Sequence, residues 1–207
     1  DGRIISWSDD GTLRLWDGES GAPLRVLEGH DGRVNEAKEL SDGRILSWSM
    51  DGTLRLWDGE SGAPLRMLEG HERKIDGAIE LSDGRILSWS EADARLLLWD
   101  GANGAPLLEL WHDAYIYGAK ELPDGRVLSW SMDHTLRLWD PESDAPFREL
   151  QVQRLEDIRI DYGAIELSDG RILSWSNDAL NLWDGANGAP LRVLEGHERA
   201  IDGAKEL

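Results

Sequence analysis

The strongest constraint on this chain of 207 residues is internal repetition. The period is about 41 residues, because the string DGRILSWS begins, with small changes, at Asp1, Asp42, Asp83, Asp124 and Asp169. A fixed period of this size is typical of repeat architectures, in which each unit buries its apolar surface against the next. The sequence therefore predicts one domain over residues 1–207, built from five similar units.

Each unit contains four short apolar segments, separated by Asp-Gly, Ser-Gly or Gly-His. The segments are four to seven residues long, which is typical of strands and too short for helices. Asp42-Gly43 and Asp51-Gly52 supply residues that tolerate the positive φ of tight hairpin turns, and Pro64 marks the start of a fourth segment. We therefore expect an all-β fold of four-stranded antiparallel sheets.

Two further dipeptides recur, Gly-His before the first strand of a unit and Trp-Asp at the end of the third. Gly29-His30 precedes Trp57-Asp58, and Gly70-His71 precedes Trp99-Asp100. With these residues the unit resembles the WD repeat of β-propellers, and the resemblance covers the whole chain. It implies a propeller with five blades of four antiparallel strands.

In WD-repeat propellers a His, a Ser or Thr, an Asp and a Trp form a buried hydrogen-bonded tetrad in each blade. A buried indole needs an acceptor, and a buried imidazole needs partners on both nitrogens. Repetition in every blade favours a structural role, because a catalytic or metal centre needs one asymmetric constellation. The resemblance assigns four sets: His30, Ser47, Asp51 and Trp57; His71, Ser88, Asp93 and Trp99; His112, Ser129, Asp133 and Trp139; and His197, Ser6, Asp10 and Trp16.

The last of these sets joins the two ends of the chain, which starts with a second strand and ends with a first one. If residues 200–207 pair beside residues 3–8, the N- and C-terminal strands complete one blade and close the ring. Two alternatives stay open: the repeats belong to a larger ring, or they form half of a two-chain ring. The blade with Ser174, Asp178 and Trp183 lacks a His, since residues 147–162 contain none.

Positions that differ between the otherwise similar units indicate a binding face at one end of the ring. Ten of the eleven Trp fall at two repeat positions and are expected in the core, whereas Trp111 stands outside them. Aromatic and Arg side chains are favoured in interface hot spots. The alternative for Trp111 is packing over a shortened loop. The candidate partner-binding residues are Trp111, Tyr115, Tyr117, Met132, His134, Arg154 and Arg159.

The amino-acid composition of the chain excludes several classes of function. With 41 acidic and 22 basic residues the formal net charge is -19, which repels nucleic-acid phosphates and anionic membranes and favours basic partners. The chain has no Cys, which excludes disulfides, thiolate catalysis and Cys-ligated zinc. Its longest run of large apolar residues, Leu96 to Trp99, is far shorter than the roughly 20 residues of a membrane helix.

The main expectation is therefore a non-catalytic protein–protein interaction scaffold, a module of a larger protein that binds a protein or peptide and needs no metal or cofactor. The alternative is a five-bladed propeller that binds a carbohydrate or a cation in its central channel, as lectins or glycosidases do. Near-identity of the units indicates duplication, and a designed or consensus-built chain is a further alternative. The residues predicted to line the channel are Asn35, Asp76, Tyr117, Asp161 and Asp202.

Overall fold

A computed structural model describes residues 2–140, 163–175, 179–199 and 201–207 of the chain. These residues form eighteen strands and no helix. Accordingly, no helix able to cross a membrane occurs in the described ranges. The chain divides into two compact units, residues 1–111 and 112–207.

The first unit contains one sheet of three strands and two sheets of four, each antiparallel and in chain order. The three-stranded sheet is β1 to β3, and the four-stranded sheets are β4 to β7 and β8 to β11. The strands are β1 (Ile4–Trp7), β2 (Thr12–Trp16), β3 (Pro23–Glu28), β4 (Val34–Glu39), β5 (Ile45–Ser49), β6 (Thr53–Trp57), β7 (Pro64–Glu69), β8 (Gly77–Glu80), β9 (Ile86–Ser90), β10 (Arg95–Trp99) and β11 (Pro106–Trp111).

The second unit contains a sheet of β12 to β14 and a sheet of β15 to β18, both antiparallel. The sequence that would follow β14 as a fourth strand lies in residues 141–162, outside the described ranges. The strands are β12 (Ile116–Glu121), β13 (Val127–Ser131), β14 (Leu136–Trp139), β15 (Gly163–Glu166), β16 (Ile172–Trp175), β17 (Ala179–Trp183) and β18 (Pro190–Glu195).

The turns have the chemistry that the sequence predicts. Gly43 has φ +84°, and its N–H donates to the Leu40 carbonyl, while the Asp42 carboxylate accepts from the N–H of Arg44. Only a residue that tolerates positive φ fits this turn without strain. The predicted all-β fold of antiparallel sheets, consistent with a repeat β-propeller, is confirmed. Within the described residues β1 pairs only with β2 and residues 201–207 form no strand, so the predicted pairing of the terminal strands is not observed there.

Apolar side chains between neighbouring sheets form the core. In the first unit, Leu27 of β3 shares one buried cluster with Val34, Ile45 and Trp57 of the next sheet. Apolar side chains of the β4–β7 and β8–β11 sheets likewise share one buried cluster. Those of the two sheets of the second unit share another. Each sheet therefore buries a face against its neighbour, as repeat proteins require.

The Trp of the SWS string packs against a glycine that the sequence analysis did not identify. Gly163 is in register with Trp175, and a Cβ at Gly163 would lie 2.6 Å from the indole. Gly77 and Gly118 face their Trp residues in the same way. Trp175 is 7% exposed, whereas the equivalent Trp7 of β1 is 41% exposed because its sheet has no such strand beside it.

A serine–glutamate pair links adjacent sheets near the Asp-Gly turns. The backbone N–H and the hydroxyl of Ser41 both donate to the carboxylate of Glu80, at 2.8 and 2.7 Å. Pro123 stands at the equivalent position opposite Glu166 and offers neither donor. Accordingly, Oε2 of Glu166 has no hydrogen-bond partner within the described part of the chain, and burial raises the pKa of this carboxyl.

We expect Pro123→Ser to raise the free energy of unfolding by about 0.5–1 kcal/mol. The variant gains two hydrogen bonds to a carboxylate. Partial solvent exposure and the greater freedom of serine in the unfolded chain reduce the resulting gain in stability. Urea unfolding measures the change, and NMR titration should find a lower pKa for Glu166. Pro123→Ala restores only the N–H and serves as the control. Equal stability of the Ser and Ala variants would contradict the role of the hydroxyl.

Candidate functional site

The candidate site begins with the hydrogen-bonded network in the β4–β7 sheet. The indole N–H of Trp57 donates to Oγ of Ser47 at 2.9 Å. On the other side of this hydroxyl, Nε2 of His30 lies 2.8 Å from Oγ, and Nδ1 lies 2.9 Å from Oδ2 of Asp51. Ser47 is 0% exposed and His30 is 8% exposed, so the network is shielded from water.

The partners of this network determine the protonation of the imidazole. An ionised Asp51 only accepts hydrogen bonds, so Nδ1 of His30 carries the proton. In a neutral ring Nε2 is then an acceptor, and the hydroxyl of Ser47 donates to it. One chain of hydrogen bonds thus runs from Trp57 through Ser47 and His30 to Asp51, and every polar group in it is satisfied.

The structure brings together two further sets of the same residue types. In the β8–β11 sheet, Nε2 of the imidazole lies 2.9 Å from the serine Oγ and Nδ1 lies 3.1 Å from the carboxylate. In the β12–β14 sheet these distances are 2.7 and 3.2 Å. The indoles donate to the same hydroxyls at 2.9 and 2.7 Å. The residues are His71, Ser88, Asp93 and Trp99, and His112, Ser129, Asp133 and Trp139.

The set predicted across the chain ends is only partly assembled. Trp16 donates to Ser6 at 2.9 Å, and Asp10 accepts from the N–H and hydroxyl of Thr12. His197 is exposed and belongs to the second compact unit. Its place beside Ser6 stays a prediction.

The blade without a His keeps part of the network. Trp183 donates to Ser174 at 2.9 Å, and Ser174 is 0% exposed. Asp178 lies outside the described residues. This blade therefore provides a natural comparison for the contribution of the His.

Two further groups bond to the network and were not predicted from the sequence: a threonine and a backbone N–H. Thr53 donates from its hydroxyl and its N–H to Oδ1 of Asp51, and Thr135 makes the same pair of bonds to Asp133. The backbone N–H that follows the His also donates to the carboxylate, as in Asp113 to Asp133 at 2.9 Å. The recurring Asp-x-Thr spacing was the available sequence signal for the threonines.

The electrostatics of the network follow from burial. Burial lowers the pKa of His30 and His112, and their carboxylate partners offset only part of this effect. Burial acts to raise the pKa of Asp51 and Asp133, but hydrogen bonds from His, Thr and backbone N–H groups outweigh it and hold each pKa below its usual range. Neutral imidazoles and ionised carboxylates are thus the stable forms.

We expect the free energy of unfolding to fall as the pH is lowered from 7.5 to 5.5. Below the ordinary His pKa of about 6.5 the unfolded chain takes up protons that buried His30 and His112 do not, which costs up to about 1.4 kcal/mol per pH unit for each His. Urea unfolding at several pH values measures the slope. His134→Ala, which leaves both buried imidazoles in place, should retain it. A stability that stays constant or rises over this range would contradict the assignment.

The third network also fixes two loops that carry exposed candidate residues. The hydroxyl of Ser131 donates to the carbonyl of Ala114 at 3.1 Å, and the N–H of Met132 donates to the carbonyl of Tyr115 at 2.8 Å. Tyr115 and Met132 are 51% and 48% exposed. The structure thus brings these two predicted residues together, on backbone held by hydrogen bonds.

The other candidate partner-binding residues are placed differently. Trp111 is 45% exposed at the end of β11, where the guanidinium of Arg95 lies 4.4 Å from its ring centroid. Tyr117 is half-buried. His134 has φ 65° at a turn position that Gly52 fills in another repeat, so its backbone is strained. Arg154 and Arg159 lie outside the described residues.

Two of the residues predicted to line a central channel, Asn35 and Asp76, bond to neighbouring groups within the first unit. The carboxylate of Asp76 lies 2.6 Å from Nζ of Lys74 and accepts from the N–H of Glu91. Asn35 donates to the carbonyl of Ile75. Asp202 is exposed, and Asp161 lies outside the described residues. The described residues contain no group of three His, Asp or Glu side chains able to hold a metal ion.

Comparison with known proteins gives a family match for one repeat and a structural match for the fold. Residues 21–58 match the family described as WD domain, G-beta repeat. No curated protein matches the chain. Among solved structures, the computationally designed Ika8 protein is similar, with 24% sequence identity and a TM-score of 0.77 over 100% of this chain. The chain spans 63% of the length of that protein's chain, and this likeness supports the fold alone.

The segment that matches the WD domain contains β3 to β6 and the whole set of His30, Ser47, Asp51 and Trp57. WD-repeat domains are generally non-catalytic scaffolds that bind proteins or peptides. The match over residues 21–58 therefore supports the assignment of the chain to a WD-repeat family.

Proposed function

We propose that the chain is a non-catalytic scaffold that binds a basic protein or peptide through the loops fixed by its buried networks. The supporting observation is the pair Tyr115 and Met132, which are half exposed on two loops joined by a backbone hydrogen bond. An aromatic ring and a thioether on ordered backbone lose little conformational entropy on binding. The formal net charge of -19 favours basic partners and fast association at low salt.

The network around Asp133 supports the same proposal by holding both loops in position. Asp133 accepts hydrogen bonds from His112 and from the N–H of Asp113, so it links the chain before Tyr115 to the turn that contains Met132. The tetrads then have a structural role, and the exposed residues beside them bind the partner. Trp111, Tyr117, His134, Arg154 and Arg159 extend this proposed binding face.

Selection from a random peptide library on the immobilised full chain tests the proposal. The enriched peptides should carry net positive charge, and Tyr115→Ala and Met132→Ala should each weaken their binding at least about tenfold, as expected for interface hot spots. Met67→Ala is the matched control, because Met67 is 45% exposed on β7 and is not among the candidate partner-binding residues. Enriched peptides that bind all variants equally, or a library without enrichment, would contradict the proposal.

The proposed architecture has five four-stranded blades within one domain over residues 1–207. The β1–β3 sheet lacks a first strand, and residues 200–207 have the sequence of one. Pairing of these terminal segments would place His197 beside Ser6, Asp10 and Trp16 and complete a fourth tetrad. It would also remove the exposed edge of β1.

A further inference from the structure

We infer that a cleft between the β4–β7 and β8–β11 sheets binds a small organic anion, whose carboxylate or phosphate group pairs with Arg44 and Arg66 while its apolar body covers Leu65. The cleft lies within the first compact unit and contains none of the candidate partner-binding residues. The inference therefore does not depend on the proposed binding of a peptide.

The cleft has the size and the mixed surface of a small-molecule site. It opens beside the Asp-Gly turns of the two sheets and has a volume of about 740 Å³. Small-molecule sites commonly measure about 300–1,000 Å³. Leu65, which is 39% exposed, supplies apolar surface, and four carboxylates and three arginines supply charge: Arg44, Arg66 and Arg85.

The carboxylates that line the cleft already accept hydrogen bonds from the protein. Asp42 and Asp83 each accept from the backbone N–H and from Nε of the arginine two residues later. Glu80 accepts from both donors of Ser41, and Asp100 accepts from two backbone N–H groups of its own turn. A cation in the cleft would have to compete with all of these donors.

Two of the arginines, in contrast, have donors without an acceptor. Within the described chain Arg66 bonds only to the carbonyl of the preceding Leu65 and belongs to no ion pair. Arg44 uses Nε for Asp42, and its two terminal nitrogens donate to no described residue. The planar guanidinium matches the oxygens of a carboxylate or a phosphate. The charged group that the cleft lacks is therefore an anion.

The preceding junction, between the β1–β3 and β4–β7 sheets, is built differently at the same positions. Arg25, the equivalent of Arg66, donates from Nε to the carbonyl of Ser61 at 3.2 Å. Arg66 makes no such bond to the corresponding turn of the next repeat. In that turn Ala102 also replaces the exposed acid Glu60. Both differences favour an anion at the second junction over the first.

NMR titration of the isotope-labelled chain with phenyl phosphate, benzoate and inorganic phosphate, at constant ionic strength, tests the inference. An aromatic anion should shift the amide signals of Gly84 and Gly101, which line the cleft. It should bind at least about tenfold more tightly than inorganic phosphate, because its ring covers Leu65. The tighter of the two aromatic anions identifies the preferred group. Unshifted amides, or inorganic phosphate that binds as tightly as both aromatic anions, would overturn the inference.

A pair of arginine variants tests the charged contact. Arg66→Ala should weaken binding of the tighter aromatic anion at least about tenfold, because a charge-assisted hydrogen bond is lost. Arg25→Ala is the matched control and should bind like the wild type, since Arg25 already bonds to Ser61. Both arginines are exposed, so both variants should fold. Unchanged affinity in Arg66→Ala, or equal losses in the two variants, would overturn the assignment of the anion to Arg66.

A second pair of variants tests the rim of the cleft. Ala102→Glu introduces the acid that the preceding repeat has at Glu60, and it should weaken the same anion at least about threefold by charge repulsion. Ala102→Gln adds a side chain of the same size without the charge and should bind like the wild type. Equal affinities of the Glu and Gln variants would mean that the anion does not lie beside Ala102, which overturns the inference.

Discussion

Ser129→Ala is expected to lower the free energy of unfolding by about 3 kcal/mol. Ser129 is 0% exposed, accepts from the indole of Trp139 at 2.7 Å and donates to the imidazole of His112 at 2.7 Å. Its loss removes one hydrogen bond from the buried indole of Trp139 and one from the buried imidazole of His112, each at a cost of about 1–3 kcal/mol. Urea unfolding monitored by tryptophan fluorescence measures the difference.

Ser174→Ala is the matched control for this prediction. Ser174 is also 0% exposed and accepts from Trp183 at 2.9 Å, but the preceding segment contains no His. Among the described residues only the indole of Trp183 then loses its hydrogen bond to this hydroxyl, so we expect about half the loss. Equal losses at Ser129 and Ser174 would mean that the imidazole contributes nothing to the network.

Gly163→Ala is expected to destabilise the chain by about 1–3 kcal/mol, the usual range for overpacking a core. A Cβ at this position would lie 2.6 Å from the indole of Trp175, which is 7% exposed and has little room to move. Glu36 occupies the equivalent position opposite Trp48, so the fold accommodates a side chain at this position in another repeat. We therefore expect this variant to lose stability through poorer packing and to keep its fold.

Gly203→Ala separates the steric effect from the general effect of replacing glycine. Gly203 has the same Asp-Gly-Ala context as Gly77, but nothing lies within 4 Å of a Cβ there. While residues 201–207 are unpaired, its substitution should change stability by less than about 0.5 kcal/mol. A loss at Gly203 equal to that at Gly163 would contradict the packing explanation.

Much of the architecture could be predicted from the sequence, because short apolar segments and Asp-Gly turns have a direct structural meaning. The positions of His30, Ser47, Asp51 and Trp57 followed from a family resemblance at fixed spacing, and their atoms do lie within hydrogen-bond distance. Their role as structural tetrads, like the partner-binding role of Tyr115, stays a proposal.

Other features required the register of the strands. The sequence contains both the Gly of β15 and the Trp of β16, yet only the pairing of Gly163 with Trp175 reveals that one packs on the other. The exposure of Leu194 could not be predicted from the sequence either, because its strand is identical in sequence to β3.

Hydrogen exchange of the backbone amides in Ile4–Trp7 and residues 201–206 tests the central claim most directly. If the terminal segments form one shared sheet, both should be protected to the degree of β4 and β5, because their amides would be bonded in a ladder. Protection confined to the side of β1 that faces β2, with free exchange throughout residues 201–206, would contradict the account.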